Sequence, residues 1–250
     1  MKPKDPSAVR VGNWNWGKAP RLCLTEILPG IEDIDITVNR LFDRIIGTSL
    51  DAYETVILSA ITRFLEPRSI LEIGTWDGNT ALNLAANSPP DARVTTLDLP
   101  LDFVPGKSKT RLKTDWRSRE DKELLGSWLN ITGRDTVGIQ YRNTEYEKKI
   151  RQAFGDSAAV DWLSLGAPFD LVFIDGCHTY DYVKSDTENS LKHLGPEGAI
   201  IWHDYGMLKD VSDVVDETSG KLGVSAVQGT RFAIGITARL REALRLDGLV

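Results

Sequence analysis

The strongest constraint on the fold is an alternation of short apolar runs with helical ones, in which the apolar runs end in glycine or polar residues. Ser69 to Gly74 is strand-like, Thr80 to Ala86 has helical spacing, and Val94 to Leu99 is strand-like again. Strand, turn, helix and strand within about 30 residues form a βαβ unit, whose strands are parallel neighbours.

The second half of the chain repeats this alternation. Strand-like runs cover residues 169–176 and 198–204, and a helical run from Tyr182 to His193 lies between them. Two final runs, Gly223 to Val227 and Arg231 to Ile236, predict an antiparallel hairpin. The sequence therefore predicts an α/β protein with a doubly wound, mostly parallel sheet that ends in this hairpin.

Two segments interrupt the pattern. Residues 1–48 contain four prolines together with Trp14 and Trp16, and they predict an N-terminal extension that covers an apolar edge, forms a lid or makes a dimer contact. Residues 49–250 form the main domain, whose first helix is capped by Ser49 or Asp51. An insertion at about 101–148 is interpreted as a solvated segment or as a flap over an anionic substrate. Its basic residues are Lys107, Lys109, Arg111, Lys113, Arg117 and Arg119.

Composition excludes several classes of protein. The net charge of −6 and a pI near 5.2 argue against nucleic acid as a partner. No apolar stretch approaches the ~18 residues of a membrane span, and the first six residues lack the apolar run of a secretory signal. Because Cys23 and Cys177 are the only cysteines, we expect no disulfide framework and a cytoplasmic location.

The first strand leads into the pattern Glu72-x-Gly74-x-x-x-Gly78. It differs from the G-x-G-x-x-G turn of dinucleotide-binding proteins, which disfavours a nicotinamide dehydrogenase. Asp98 follows Gly74 by 24 residues and ends the second strand. A carboxylate at that place can accept both hydroxyls of a ribose, so the spacing indicates a ligand that contains adenosine.

A wider set of motifs carries a family resemblance. The runs LEIGTWDGNTALNLA, TTLDLP, GDSA, FDLVFIDGCHTYDYVKSDTENSLKHL and GAIIWHDYG resemble the class I S-adenosylmethionine-dependent methyltransferases. More narrowly, they are similar to the branch that includes the sugar O-methyltransferases of macrolide biosynthesis. The resemblance extends from about Ser49 to Ile236 and implies a seven-stranded, Rossmann-like sheet. A homodimer is the common expectation for this branch.

The resemblance also implies where the cofactor S-adenosylmethionine binds. The turn from Gly74 to Asn79 would hold the methionine part, Glu72 would order that turn or contact the amino group, and Asp98 would bind the ribose. Asp156 with Ser157 would reach the adenine edge. The cofactor-binding residues predicted in this way are Glu72, Gly74, Thr75, Gly78, Asn79, Asp98, Leu99, Asp156, Ser157 and Asp175.

Transfer of a methyl group to a hydroxyl needs a base or a metal that removes the proton. His178 follows the strand end at Asp175, and histidine titrates near neutral pH. Asp175 and Asp204 end strands that we expect to be neighbours, so their carboxylates can converge on a hard cation. In the related sugar methyltransferases the matching acids hold magnesium and the matching histidine is the base. We therefore predict His178 and Asp175 as catalytic residues.

The predicted metal ligands are Asp175, His203 and Asp204. His203 stands where the branch often has an acid, and imidazole suits zinc, iron or nickel better than magnesium. The residues therefore leave open whether a divalent metal binds and which one it is.

The leading hypothesis is O-methylation of a small hydroxylated acceptor such as a sugar or a natural product. An N-methyltransferase is a second hypothesis, because an amine needs less help with deprotonation. A third is a cofactor-binding protein without turnover, against which the acids and histidines at the strand ends argue.

Overall fold

The computed structural model describes residues 16–40, 50–99 and 137–246, and within them the chain forms one eight-stranded sheet. The strands are β1 (Arg21–Leu22), β2 (Ser69–Ile73), β3 (Arg93–Asp98), β4 (Ile150–Phe154), β5 (Phe169–Ile174), β6 (Leu194–Trp202), β7 (Gly223–Val227) and β8 (Ala233–Ile236). The helices are α1 (Leu24–Ile27), α2 (Ala52–Leu65), α3 (Asn79–Asn87), α4 (Tyr180–His193), α5 (Lys209–Thr218) and α6 (Ala238–Leu246). Two 3-10 turns are Ile31–Asp33 and Glu147–Lys149.

The strand order is β1-β7-β8-β6-β5-β2-β3-β4. The pairs among β2 to β6 are parallel, whereas β8 pairs antiparallel with both β6 and β7. The predicted doubly wound sheet with a terminal hairpin is therefore confirmed. The strand count differs from the expected seven because β1 adds to the edge beside β7, where Arg21 and Leu22 pair with Ala226 and Val227.

Apolar residues of the strands face two separate cores. In β5, Leu171 and Phe173 belong to the core beneath α2 and α3, whereas Val172 and Ile174 belong to the core beneath α4 and α5. Successive side chains of a strand point to opposite faces, so a run that is apolar at every position is buried on both sides. This explains the apolar stretches at residues 70–71 of β2, 171–174 of β5 and 199–202 of β6.

The ends of two helices follow from local chemistry. The Asp51 carboxylate accepts from the Glu54 backbone N–H at 2.8 Å, so Asp51 caps α2 as predicted. Asn79 stands directly before the helical run that begins at Thr80, and asparagine is a common N-cap residue. Instead, Gly78 precedes the helix with φ of 83°, a left-handed conformation that glycine adopts without steric cost, and Asn79 is the first helical residue.

Residues 16–40 lie against the main part of the structure. Leu28 and Ile31 are buried in the core that contains α2 and α3. The Asn87 side chain accepts from the Thr37 backbone N–H at 2.8 Å and donates to the Thr37 carbonyl at 2.7 Å. The predicted boundary at residue 48 falls outside the described residues, so the division into an extension and a domain stays a prediction.

Other sequence-based expectations also concern residues outside the described ranges. They are Trp14, the alternative cap Ser49 and the six basic residues between 107 and 119. Among the helices of the described segments, none combines the length and apolar character needed to cross a membrane.

Asp186 of α4 is a buried acid, 0% exposed. Among the described residues, neither of its carboxylate oxygens has a hydrogen-bond partner of good geometry, although Ser157 and Asp156 are close. Burial raises the pKa of Asp186 to about 7, and the nearby charge of Asp156 adds to the rise. The folded protein therefore retains this proton at a pH where the unfolded chain has lost it.

We expect Asp186→Asn to change how stability depends on pH. Because the pKa of this acid is raised in the folded state, its burial does not reduce the free energy of unfolding at low pH. The free energy of unfolding falls as the pH rises from about 4 to 7. The free energy of unfolding of the variant should equal that of the wild type near pH 4 and should be larger at pH 8. The full pKa shift corresponds to a difference on the order of 4 kcal/mol. Urea unfolding at several pH values measures this difference, and parallel curves for the two proteins would contradict the assignment.

Candidate functional site

The register of the parallel strands brings four strand ends to one edge of the sheet. Ile73 of β2 pairs with Ile174 of β5, and Ile174 pairs with Trp202 of β6. Ile73 also pairs with Leu97 of β3. Because these residues are level, the polar residues that follow each strand lie side by side. This edge is where ligands bind in doubly wound sheets.

The turn after β2 passes very close to the strand beside it. Gly74 has φ of 97°, and a Cβ at this position would clash with the Asp175 carbonyl oxygen. Its backbone N–H donates to the Leu97 carbonyl at 2.8 Å. Only glycine satisfies both the left-handed φ and the close approach. The turn and Asp175 are therefore in direct contact, as a site shared by a cofactor and a reacting group requires.

Asp98 anchors the same turn from the neighbouring strand. Its Oδ2 accepts from the backbone N–H of Thr75 at 3.1 Å and of Trp76 at 3.0 Å. Its Oδ1 accepts from the Leu99 backbone N–H at 2.7 Å. The structure thus places the predicted residues Asp98, Thr75 and Leu99 together and shows that Asp98 also shapes the turn.

Glu72 lies beneath the turn and is fully buried. One of its carboxylate oxygens accepts from the Thr96 hydroxyl, and the other has no hydrogen-bond partner among the described residues. Burial holds the pKa of Glu72 well above its usual range, and the charge of Asp175 adds to the rise. Burial therefore favours the neutral form of Glu72 over its carboxylate.

The remaining predicted cofactor residues flank this turn. A Cβ on Gly78 would lie 2.6 Å from the Tyr141 ring, so Gly78 is also required for packing. The Gly155 backbone N–H donates to the Asp98 carbonyl at 2.8 Å, which places the loop with Asp156 and Ser157 beside Asp98. All ten predicted cofactor residues thus lie along one edge.

A cluster of acids and histidines adjoins the turn. His178 Nε2 lies 3.2 Å from Asp204 Oδ2 and 3.6 Å from Asp175 Oδ1. Ligand-type atoms of Asp175, His178 and Asp204 all lie within 4.8 Å of one another, a spacing that could hold a metal ion. The structure therefore brings together both predicted catalytic residues and two of the three predicted metal ligands.

His203 has a different environment from the one expected of a metal ligand. Its Nδ1 lies 2.9 Å from Asp175 Oδ1, and its Nε2 lies 3.3 Å from Glu54 Oε2. Both ring nitrogens are thus engaged by carboxylates, and the side chain is only 4% exposed. The convergent set contains His178 in place of His203, which differs from the predicted ligand set.

Glu54 and Arg231 belong to this cluster, although sequence reasoning did not single them out as site residues. Glu54 Oε1 accepts from Arg231 Nε at 3.0 Å, and Arg231 Nη1 donates to Asp204 Oδ1 at 3.1 Å. The signals in the sequence were indirect. Glu54 stands three residues after the cap Asp51, as in a capping box, and Arg231 begins the last strand-like run, Arg231 to Ile236.

Opposite charges balance within the cluster. Burial alone would raise the pKa of Glu54, but the hydrogen bonds from His203 and Arg231 outweigh it and lower the pKa to about 2. Burial alone would lower the pKa of His178, but the hydrogen bonds and charges of Asp175 and Asp204 raise it to about 10. The same two acids raise the pKa of His203 to about 10. Three carboxylates therefore face three cations at neutral pH.

Comparison with known proteins gives a family and several similar chains. Residues 71–205 match the family described as a methyltransferase domain. Catechol O-methyltransferase B from Danio rerio is 26% identical over 132 residues, which are 53% of this chain and 39% of that protein. This chain thus spans well under half the length of that curated relative.

Two solved structures are among the chains to which this one is similar. The O-methyltransferase TomG from Streptomyces achromogenes, in complex with S-adenosylmethionine, is 18% identical, with 86% of this chain and 99% of that chain covered and a TM-score of 0.49. An O-methyltransferase from Bacillus cereus, in complex with S-adenosylhomocysteine, is 17% identical, with 77% and 84% covered and a TM-score of 0.47.

The matched family segment runs from β2 to the residue after Asp204. It therefore contains both the glycine turn and the convergent cluster of Asp175, His178 and Asp204, and it covers more than half of the chain. The class that the motifs resemble is confirmed: the chain belongs to the methyltransferase-domain family, within the class I S-adenosylmethionine-dependent methyltransferases.

Proposed function

We propose that the chain transfers the methyl group of S-adenosylmethionine to a hydroxyl of a small acceptor. The observation that carries this proposal is the contact between the glycine turn and Asp175, because it joins the cofactor side to a cluster of proton-accepting groups. The proposed cofactor residues are the ten along the edge, with Asp98 at the ribose and Asp156 and Ser157 at the adenine.

In the proposed reaction the acceptor oxygen attacks the methyl carbon in line with the carbon–sulfur bond. That bond breaks, and the sulfonium becomes the neutral thioether of S-adenosylhomocysteine. The hydroxyl proton passes to a base, for which His178 is the candidate. Holding donor and acceptor in line can contribute roughly 7–11 kcal/mol in favourable cases. The role of the protein is therefore mostly to position the two and to accept the proton.

The cluster fits a divalent cation. Asp175 and Asp204 would provide two oxygen ligands, and His178 would stay unligated, with its Nε2 3.2 Å from Asp204 and 3.6 Å from Asp175. His203 is less suitable because both of its nitrogens are engaged. A bound cation would polarise the acceptor hydroxyl and supply the positive charge that protonated His178 otherwise provides. With that charge replaced, His178 can lose its proton and serve as the base.

The acceptor is proposed as a small hydroxylated molecule. The name of the Danio rerio relative supports a catechol as the first test acceptor, and the motif resemblance supports a sugar or a natural product. The expected homodimer stays a prediction.

Asp98→Ala should weaken the binding of S-adenosylhomocysteine about 10- to 100-fold, because it removes a charged acceptor and frees two N–H groups of the turn. Calorimetric titration measures the change. Asp91→Ala is the matched control, since Asp91 is exposed near the opposite end of β3. An unchanged affinity in Asp98→Ala would reject the ribose assignment.

His178→Ala should lower methyl transfer to catechol or a sugar acceptor by about 10²- to 10⁴-fold, the usual contribution of a general base. Its affinity for S-adenosylhomocysteine should stay within about twofold, since His178 lies on the acceptor side. His193→Ala is the control, because His193 ends α4 and bonds to the Asn189 carbonyl, away from the cluster. Wild-type turnover in His178→Ala would remove the base assignment.

Treatment with a chelator should abolish methyl transfer to hydroxyl acceptors, and added Mg²⁺, Mn²⁺ or Zn²⁺ should restore it, because cation binding replaces the charge on His178. Binding of S-adenosylhomocysteine should be retained. Transfer to a hydroxyl acceptor that resists the chelator would show that the reaction does not need the cation, whereas transfer to amine acceptors alone would favour N-methylation. If the protein does not bind S-adenosylhomocysteine at all, the methyltransferase proposal fails.

A further inference from the structure

Glu54 is a fully buried carboxylate of α2 at the acid–histidine cluster. Its side chain is 1% exposed and lies on the side of His203 opposite Asp175. Oε1 accepts from the Arg231 backbone N–H at 2.8 Å and from Nε at 3.0 Å. Oε2 accepts from Arg231 Nη2 at 2.5 Å and lies 3.3 Å from His203 Nε2. Each oxygen of Glu54 therefore has at least two cationic or N–H neighbours.

Each of the two cations beside Glu54 also contacts one acid of the cluster. His203 bridges Glu54 to Asp175, with its Nδ1 2.9 Å from Asp175 Oδ1. Arg231 bridges Glu54 to Asp204, with its Nη1 3.1 Å from Asp204 Oδ1. The two acids that face His178 are thus connected through Glu54, although Glu54 contacts neither of them in these interactions.

We propose that Glu54 is a positioning residue, which holds His203 against Asp175 and Arg231 against Asp204 and so fixes the two carboxylates around His178. This inference rests on the proposed methyl transfer, for which those carboxylates must keep their spacing. The planar guanidinium has a rigid fork of donors, so a single Arg231 can bind Glu54 and Asp204 simultaneously only while both acids stay in place.

The other role that the structure allows for Glu54 is a local one. Its carboxylate lies 3.4 Å from the Asp51 backbone N–H and completes a capping box at the start of α2. A residue that serves only the helix end would affect stability and leave His178 untouched, because no contact joins Glu54 to His178 directly. The two roles therefore predict different behaviour of His178.

The test is ¹⁵N nuclear magnetic resonance of the imidazole rings in Glu54→Gln. The chain has three histidines, so three rings are followed, and His178→Gln and His193→Gln assign the signals. We expect the ring resonances of both His203 and His178 to shift in Glu54→Gln, whereas those of His193 stay unchanged. Unchanged His178 resonances would overturn the inference, whether or not the melting temperature falls.

Asp170→Asn is the matched control. It makes the same carboxylate-to-amide change at the opposite end of β5, where Asp170 accepts from the backbone N–H groups of Arg68 and Ser69. None of the three histidine signals should shift in this variant. A shift of His178 as large as that in Glu54→Gln would show a general effect of destabilisation and overturn the inference.

Arg231→Lys covers the case in which Glu54→Gln fails to fold. Lysine keeps the positive charge but lacks the fork, so one of the contacts to Glu54 and Asp204 is lost. We expect the His178 resonances to shift here too, and their constancy would count against the inference. Titration of the wild-type sample with S-adenosylhomocysteine separates the proposed methyl transfer from the positioning role of Glu54. Failure of the wild type to bind would refute the proposed function without affecting the histidine signals.

Discussion

Buried and half-buried carboxylates at the polar edge of the sheet are tolerated because cations of the chain lie directly against them. Glu54, Asp175 and Asp204 are met by Arg231, His178 and His203. A buried charge without a partner costs several kcal/mol, so each member depends on the others being present. This mutual dependence joins α2, the ends of β5 and β6, and Arg231 two residues before β8, which are far apart in the chain.

The cluster lies at this edge because the parallel strands end level with one another. The glycine turn after β2 contacts the backbone of Asp175, and Asp98 holds that turn through two N–H groups. A cofactor bound on the turn would therefore end beside the acids and His178. In a methyl transfer, that proximity places the donor next to the group that deprotonates the acceptor.

Much of this arrangement follows from local sequence. Runs that are apolar at every position indicate strands buried on both faces, and the residues after such strands are candidates for a site. The glycines at 74 and 78 are recognisable from their spacing after the first strand, and the structure shows that both have left-handed backbone conformations. Prediction was incomplete where a signal was short or shared. Two residues are too few to reveal β1 by periodicity, and a histidine beside an acid looks the same whether it binds a metal or a second carboxylate.

The sequence by itself therefore determined the fold class, the strand ends and the identity of the residues gathered there, because these depend on periodicity and on neighbours within a few positions. Only the tertiary structure decided how the charges pair. Glu54 and Arg231 are separated by 177 positions, and nothing local to either residue indicates the other. Their pairing arises when the folding of α2 against the sheet buries both charges and each needs a partner of opposite sign.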